Sequence, residues 1–362
     1  MKRTLLLAMI VSLFAVAAHA QKAPERQGSV EMLILYQLYG NIAEISVYRS
    51  ISNDLDDKNC DTIIGQTYKF NHRGDIFEMG PTMLEGFTVL HVYDKSGRTI
   101  KSLRKSGNDV VFWDHYIYAP NGKVAERHRY FDNEKTPSFK EYIKYNANAN
   151  PISKICYDAE GKVVSKELFK YDSQGREIEY SFMSTEEGDD LPYKEYHKYD
   201  SRGNLIEEST GDMQGNINNK HTYKYDTYRR KIEDVHYRKW GNEAPSTTKT
   251  TYKYDSNNNV IEEVEYNDKG VMSSRTVHKY NSNNKLVESI TYDEKNVLDS
   301  KILYTYNSKG QKTEEVRCDE NGAAYYKEVR KYDHMGNVVE NTSYNYSDKS
   351  IMKDQYKITY RK

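Results

Sequence analysis

A tyrosine followed by aspartate or asparagine, with glycine or asparagine three residues further on, returns along most of this chain and constrains its fold more than any other feature. Aligned on that tyrosine, Tyr93, Tyr118, Tyr145, Tyr171, Tyr199, Tyr225, Tyr254, Tyr280, Tyr306 and Tyr332 stand 25 to 29 residues apart, with 26 the commonest step. Phe70 in "YKFNHRGD" reads as an earlier, degenerate start. A weaker copy lies between these, at Tyr130, Tyr157, Tyr237, Tyr266, Tyr292 and Tyr344, with Cys318 in one tyrosine slot. Self-similarity at a fixed period of this length marks a repeat architecture, in which each unit buries its faces only against its neighbours.

The turn chemistry explains the restriction. In Tyr199-Asp200-Ser201-Arg202-Gly203 the aspartate occupies the position where a type I turn favours a short acceptor side chain, and the glycine occupies the position that must turn left-handed in a bulged hairpin. The slot holds Gly74, Gly97, Gly122, Gly161, Gly175, Gly203, Gly241, Gly270, Gly310, Gly322 and Gly336, or else Asn258, Asn284 and Asn296. Asparagine is the other residue that visits this region at low cost. Ala149 and Arg229 break the rule and predict strained or remodelled turns. A calcium loop would need spaced carboxylates and a distal bidentate glutamate, which these turns lack.

Between turns, runs of about eight residues rich in β-branched and aromatic types read as strands. The expected register sets Tyr254 opposite Val260, Tyr252 opposite Glu262 and Lys253 opposite Ile261, with Tyr199, Tyr280 and Tyr332 beside Leu205, Leu286 and Val338. One face then collects tyrosine against aliphatic residues. The other carries Lys198, Lys253, Lys279 and Lys331 beside Ile206, Ile261, Val287 and Val339, with Glu208 and Glu263 on the diagonal. The expected fold is all-β: an elongated antiparallel β-meander of about ten 26-residue hairpin repeats, twisted or curled into a solenoid-like sheet.

The stretches "KYDSRGNLIEE" (198–208), "KYDSQGREIE" (170–179) and "KYDHMGNVVE" (331–340) resemble the YD repeats of RHS-type proteins, bacterial secreted or surface proteins whose repeats form β-hairpin spirals. The resemblance covers roughly residues 70–362. It implies a β architecture and an extracellular binding or surface role. The final strand-like "DQYKITYRK" is followed by no separate toxin domain, so toxin encapsulation does not carry over.

The first residues, MKRTLLLAMIVSLFAVAAHA, have the basic start, apolar run and small-x-small cleavage site of a secretory signal peptide ending at Ala20. The domain reading is a signal peptide over 1–20, an N-terminal β cap over 21–69 and the repeat array over 70–362. Without 1–20 the basic-to-acidic balance changes from 53:54 to 51:54, and lysine and glutamate interleave throughout, so no basic stripe offers a seat for nucleic acid. No other stretch reaches the length of an apolar transmembrane helix, so the mature chain is expected to be secreted, periplasmic or at the cell surface, without membrane insertion. Cys60, Cys156 and Cys318 are too few for a disulfide scaffold, and in an extended array Cys156 and Cys318 lie too far apart to pair.

Catalytic signatures are weak. Ser102–Lys105 and Ser246–Lys249 match an SxxK spacing with no KTG after them. The glutamate pairs Glu207–Glu208, Glu262–Glu263 and Glu314–Glu315 recur at one repeat position, whereas an active site is singular. The histidines form no HExxH or ligand cluster, and no cofactor or metal is expected. The chain therefore reads as a non-enzymatic binding or adhesion module for an extracellular glycan or protein. Its candidate platform is the paired tyrosines Tyr223 and Tyr225, Tyr252 and Tyr254, and Tyr304 and Tyr306, planar side chains with a polar tip. The alternatives are a purely structural cell-surface spacer and, more weakly, a carbohydrate-active hydrolase.

Overall fold

The computed structural model describes residues 41–52, 61–63, 66–80, 87–185, 192–241 and 243–361. The signal peptide and its cleavage site, Cys60 and the 21–40 part of the N-terminal segment lie outside these residues. The described residues form 25 strands, β1 to β25 in chain order, all in one antiparallel sheet. They divide into two compact units. Of the described residues, one unit takes those within Leu90–Lys194 and His334–Asn337, and the other those within Asn41–Val89, Glu195–Asp333 and Val338–Lys362.

Within the second unit the expectation of an open array fails. Strand β1 (Ile42–Ser52) pairs with the last strand, β25 (Ser350–Tyr360), from Ile42↔Tyr360 to Ser52↔Ile351. On its other side β1 pairs with β2 (Asp61–Ile63) and β3 (Thr67–Phe70), which lie in line along it and together make one strand position. The 25 strands thus fill 24 positions of a sheet whose first and last members are hydrogen-bonded to each other. The two ends of the sheet are joined by this pairing, so it is not an elongated meander with free ends. Closure satisfies the backbone groups that an open sheet leaves at its edges. The segment read as a cap contributes β1 to β3, an integral part of the ring of pairings. Ile42, Ile45, Val47, Tyr68, Ile351 and Tyr356, most of the buried apolar side chains, gather at this seam. There Arg49 forms a two-pronged pair with Asp354, at 2.7 and 3.0 Å.

The hairpin turns follow the sequence closely. Asp255 N–H donates to Asn259 O at 2.9 Å, and Asn258, at φ +66°, holds the left-handed position. The Asp255 carboxylate accepts from the N–H groups of Asn257 and Asn259, at 2.8 and 2.9 Å, which is the physical reason for aspartate after the tyrosine. Ala149 and Arg229 keep this turn unchanged at φ +58° and +65°, so those turns are strained and not remodelled. The remodelled connection is the one holding Gly241, where Lys239 N–H reaches back to Asn218 O at 2.8 Å.

The tyrosine has its own task. Its hydroxyl donates to the backbone carbonyl of the first strand residue after the preceding main turn: Tyr118 to Thr99, Tyr145 to Val124, Tyr171 to Pro151, Tyr225 to Leu205, Tyr254 to Lys231, Tyr280 to Val260, Tyr306 to Leu286 and Tyr332 to Lys312, all within 2.6–2.9 Å. Each of these eight repeats is tied to the one before it.

Past the turn the observed register differs from the expected one by a single residue. Tyr254 pairs with Val260 as predicted, but Lys253 pairs with Glu262 and Tyr252 with Glu263, because Ile261 is an extra, bulged residue. The lysines therefore meet glutamates directly instead of diagonally: Lys253–Glu262 at 2.5 Å and Lys198–Glu207 at 2.7 Å. Three of these glutamates also take a cation from the next hairpin: Glu262 with Arg275 at 2.5 Å, Glu288 with Lys301 at 2.6 Å and Glu340 with Lys353 at 2.8 Å. Nor is the tyrosine face simply apolar. In the first unit it carries the buried pair Asp114–Arg129 and the chain Arg127–Glu141–Lys154–Glu167.

Candidate functional site

The longest step between main tyrosines, from Tyr225 to Tyr254, encloses β16 (Lys231–Arg238) between β15 (Ile217–Tyr225) and β17 (Ser246–Tyr254), with β18 (Val260–Tyr266) following. Strands β16 and β17 pair without a bulge, from Glu233↔Thr251 to Arg238↔Ser246. Alternation along each strand puts Asp234, His236 and Arg238 on the same face as Ser246, Thr248 and Thr250. His221 joins them opposite His236 on β15, and Glu265 opposite Thr250 on β18. These eight side chains line a cleft of about 300 Å³ within the second unit.

The floor of the cleft is a pair of stacked imidazoles. The rings of His221 and His236 lie 3.8 Å apart at 16°, and the Tyr223 ring is near-parallel to His221 with centres 5.9 Å apart. His221 Nδ1 is 2.9 Å from Asp234 Oδ1. His236 Nε2 faces two groups, Asn219 Oδ1 at 2.7 Å and Arg238 Nε at 3.0 Å, and can serve only one at a time. With its proton it donates to Asn219; without it, it accepts from Arg238. Burial, reinforced by His221 and Arg238 and opposed by Asp234, holds His236 below the ordinary histidine range, so the ring is neutral near pH 7. Glu265 accepts from Ser273 Oγ at 3.2 Å. The hydroxyls of Ser246, Thr248 and Thr250 have no hydrogen-bond partner among the described residues.

Of the six tyrosines predicted as a platform, Tyr223 and Tyr252 come together beside this cleft. Lys231 Nζ sits between them, 5.2 and 5.1 Å from their ring centres, and 3.3 Å from Asp234 Oδ2. Burial resists the charge on Lys231, yet Tyr252 and Asp234 raise its pKa overall. The Tyr223 hydroxyl donates to Glu208. Tyr225 and Tyr254 are next to the turns, their hydroxyls engaged in the inter-repeat ties. Tyr304 and Tyr306, on β21 (Leu298–Tyr306), are four strands away from β17 and do not reach the cleft; Lys312 Nζ lies 5.5 Å from the Tyr304 ring. All six rings are half-buried. Sequence reasoning missed His221, Asp234, His236 and Arg238. The available signal was the 29-residue step itself, with "KWGNEAPS" (239–246) replacing a regular turn.

The pairs considered for catalysis separate in space. Ser246 faces the cleft, whereas Lys249 pairs with Tyr266 on the other face, its Nζ 4.8 Å from that ring. Glu207 binds Lys198 on one face while Glu208 accepts from Tyr223 on the other, so adjacent glutamates cannot flank one bond. Among the described residues no three histidine, cysteine or acidic side chains gather closely enough to hold a metal ion, and no helix is long and apolar enough to cross a membrane, which does not bear on strands.

No protein-family model and no curated protein matches the chain. Among solved structures, it is similar to one titled "Crystal Structure of TcdB2-TccC3-Cdc42", at 10% identity and a TM-score of 0.29, over 84% of this chain but 21% of that one. The chain thus spans about a fifth of that structure's length. A porin-like protein from Bacteroides uniformis ATCC 8492 matches at 8% identity and a TM-score of 0.25, over 89% of this chain and 98% of its own. A porin-like protein from Bacteroides vulgatus ATCC 8482 matches at 13% identity and a TM-score of 0.27, over 55% of this chain and 93% of its own. These scores are too low to establish a shared fold, and the closed topology rests on the β1–β25 pairing.

Proposed function

We propose that this is a non-catalytic YD-repeat-type protein of the bacterial cell envelope or exterior, and that the cleft of β15 to β18 seats a glycan. The observation that carries the reading is a concave, polar surface with donors and acceptors left over: three hydroxyls of β17 without a protein partner, beside two imidazoles and a guanidinium. Such a set suits a ligand rich in hydroxyl groups. Trp240, 70% exposed, lies in the loop joining Arg238 to Ser246 and adds an aromatic face of the kind that sugars stack upon.

The reading sets the sheet in water. In the second unit Lys198, Lys224, Lys253, Lys279 and Lys331 are each 61–71% exposed on one face, and Arg275, Lys301 and Lys353 continue the charge toward the strand centres. A basic side chain on a lipid-facing strand costs about 2–4 kcal/mol at the bilayer midplane, which opposes insertion through this face. The test is a glycan array probed with the full mature chain in detergent-free buffer, alongside Trp240→Ala. Retention of a glycan that weakens in the variant supports the assignment.

The eight tyrosine-to-carbonyl ties favour a second reading, a structural spacer whose tyrosines serve cohesion alone. Failure of the mature chain to retain any glycan or protein would decide for it.

A further inference from the structure

Resting on the glycan reading, we infer that the cleft selects an acidic sugar, a glycan with a single anionic group, held by the guanidinium of Arg238. The strand face that carries Arg238 also carries Arg49, Arg317 and Arg330, and each of these is paired with a carboxylate: Asp354 at 2.7 Å, Glu315 at 2.8 Å and Glu328 at 2.6 Å. Arg238 has no ion-pair partner among the described residues, and its one hydrogen bond runs from Nε to His236. Its terminal amino groups are left for a ligand. A guanidinium presents paired N–H groups in the geometry that a carboxylate or a sulfate accepts two at a time.

The cleft is polarised along its length. Arg238 pairs with Ser246 at one end and Glu265 with Thr250 at the other, four residues apart along β17, or roughly 13 Å at about 3.3 Å per residue. The carboxylate end repels a second negative charge while accepting sugar hydroxyls. Between the ends, Ser246, Thr248 and Thr250 point the same way and are free to donate and accept. This arrangement fits a short glycan with its acid group at Arg238 and its hydroxyls along β17, and rejects a polyanion.

The experiment uses the full mature chain on an array of glucuronate- and galacturonate-terminated oligosaccharides, their carboxyl-reduced counterparts and sulfated counterparts, with Arg238→Gln and Arg238→Lys in parallel. Arg238 is exposed, and a circular dichroism spectrum matching the parent's shows that each variant keeps the fold. Expected is retention of an acidic form at least tenfold better than its reduced counterpart, loss of that preference in Arg238→Gln, partial retention in Arg238→Lys and weakening with added salt. The carboxylate and sulfate arms identify which acid group is taken. Equal retention of acidic and reduced forms, or a preference that survives Arg238→Gln, overturns the inference and leaves the glycan reading intact. Retention of no glycan at all overturns both.

Discussion

At the scale of single residues the turns are governed by two requirements, an acceptor at the first position and a left-handed backbone at the fourth. Where the second is met by a residue with a Cβ the conformation costs about 1–2 kcal/mol. Arg229, at φ +65°, is such a place, and Arg229→Gly is expected to raise stability by about 1 kcal/mol in chemical denaturation. Gly322, at φ +78° with no atom within 4 Å of the place a Cβ would take, isolates the backbone effect. Gly322→Val is expected to cost about 1–3 kcal/mol and Gly322→Asn much less, and equal melting of the two would refute the left-handed assignment. The first requirement has a pH signature. Hydrogen bonds from the Arg176 and Asn216 N–H groups, and from the Asn216 side chain, hold Asp172 and Asp212 below the ordinary aspartate value of 3.8. A depressed folded pKa contributes stability that is present above the unfolded value and is lost as pH falls through the folded one. Melting temperature is therefore expected to drop below about pH 4, and Asp172→Asn, which keeps the acceptor oxygen as Asn146 and Asn267 already do, should lessen that drop. These turn rules were legible in the sequence because they are local: Asp255, Asn258 and their partners lie within five residues of one another.

At the scale of the strand and hairpin, the recurring tyrosine joins successive units, and Glu262, Glu288 and Glu340 each join cations from two hairpins. Tyr280→Phe removes the bond to the Val260 carbonyl and should cost about 1 kcal/mol by denaturant titration, with the hydrophobic contribution of the ring unchanged. No cost would show that the tyrosine is retained for its ring alone. The sequence revealed the strands, their alternation and the pairing of Tyr254 with Val260, but not the bulge at Ile261. An extra residue in a ladder changes no composition and no period. It flips the partner of every later residue, which is why Lys253 was set against Ile261 and not Glu262. The cleft was illegible for a similar reason. His221 and His236 are fifteen residues apart in the chain, and only the β15–β16 register sets them opposite each other, while Ser246, Thr248 and Thr250 resemble ordinary strand residues until their hydroxyls are found without partners.

At the scale of the whole chain, the repeat period says how each unit meets the next and nothing about whether the last meets the first. That step depends on β1, which falls outside the repeat register, and on the accumulated twist of many strands, which no short motif encodes. The free thiols Cys156 and Cys318 agree with the expectation that they do not pair, although the extended array on which that expectation rested does not exist. Cys156 is pushed up to about 12, chiefly by burial and then by Glu141, so it is a protonated and unreactive thiol. Closure itself turns on Asp354, 1% exposed, whose carboxylate takes both Nε and an amino group of Arg49 across the β1–β25 seam. Loss of one partner from a buried ion pair costs about 3–5 kcal/mol because a charge is left uncompensated. Asp354→Ala is thus expected to destabilise by about 3 kcal/mol, toward the low end because the Arg49 side chain keeps 26% of its exposure. Replacing both residues, as Arg49→Met with Asp354→Leu, should recover much of that loss. If the seam is what closes the sheet, removing β25 by truncation after Asn345 should also free the outer edges of β1 and β24, and the shortened chain should self-associate in light scattering where the full chain does not. A truncated chain that stayed monomeric with unchanged melting would mean that the first and last strands contribute little to the fold, and the closed topology would have to be abandoned.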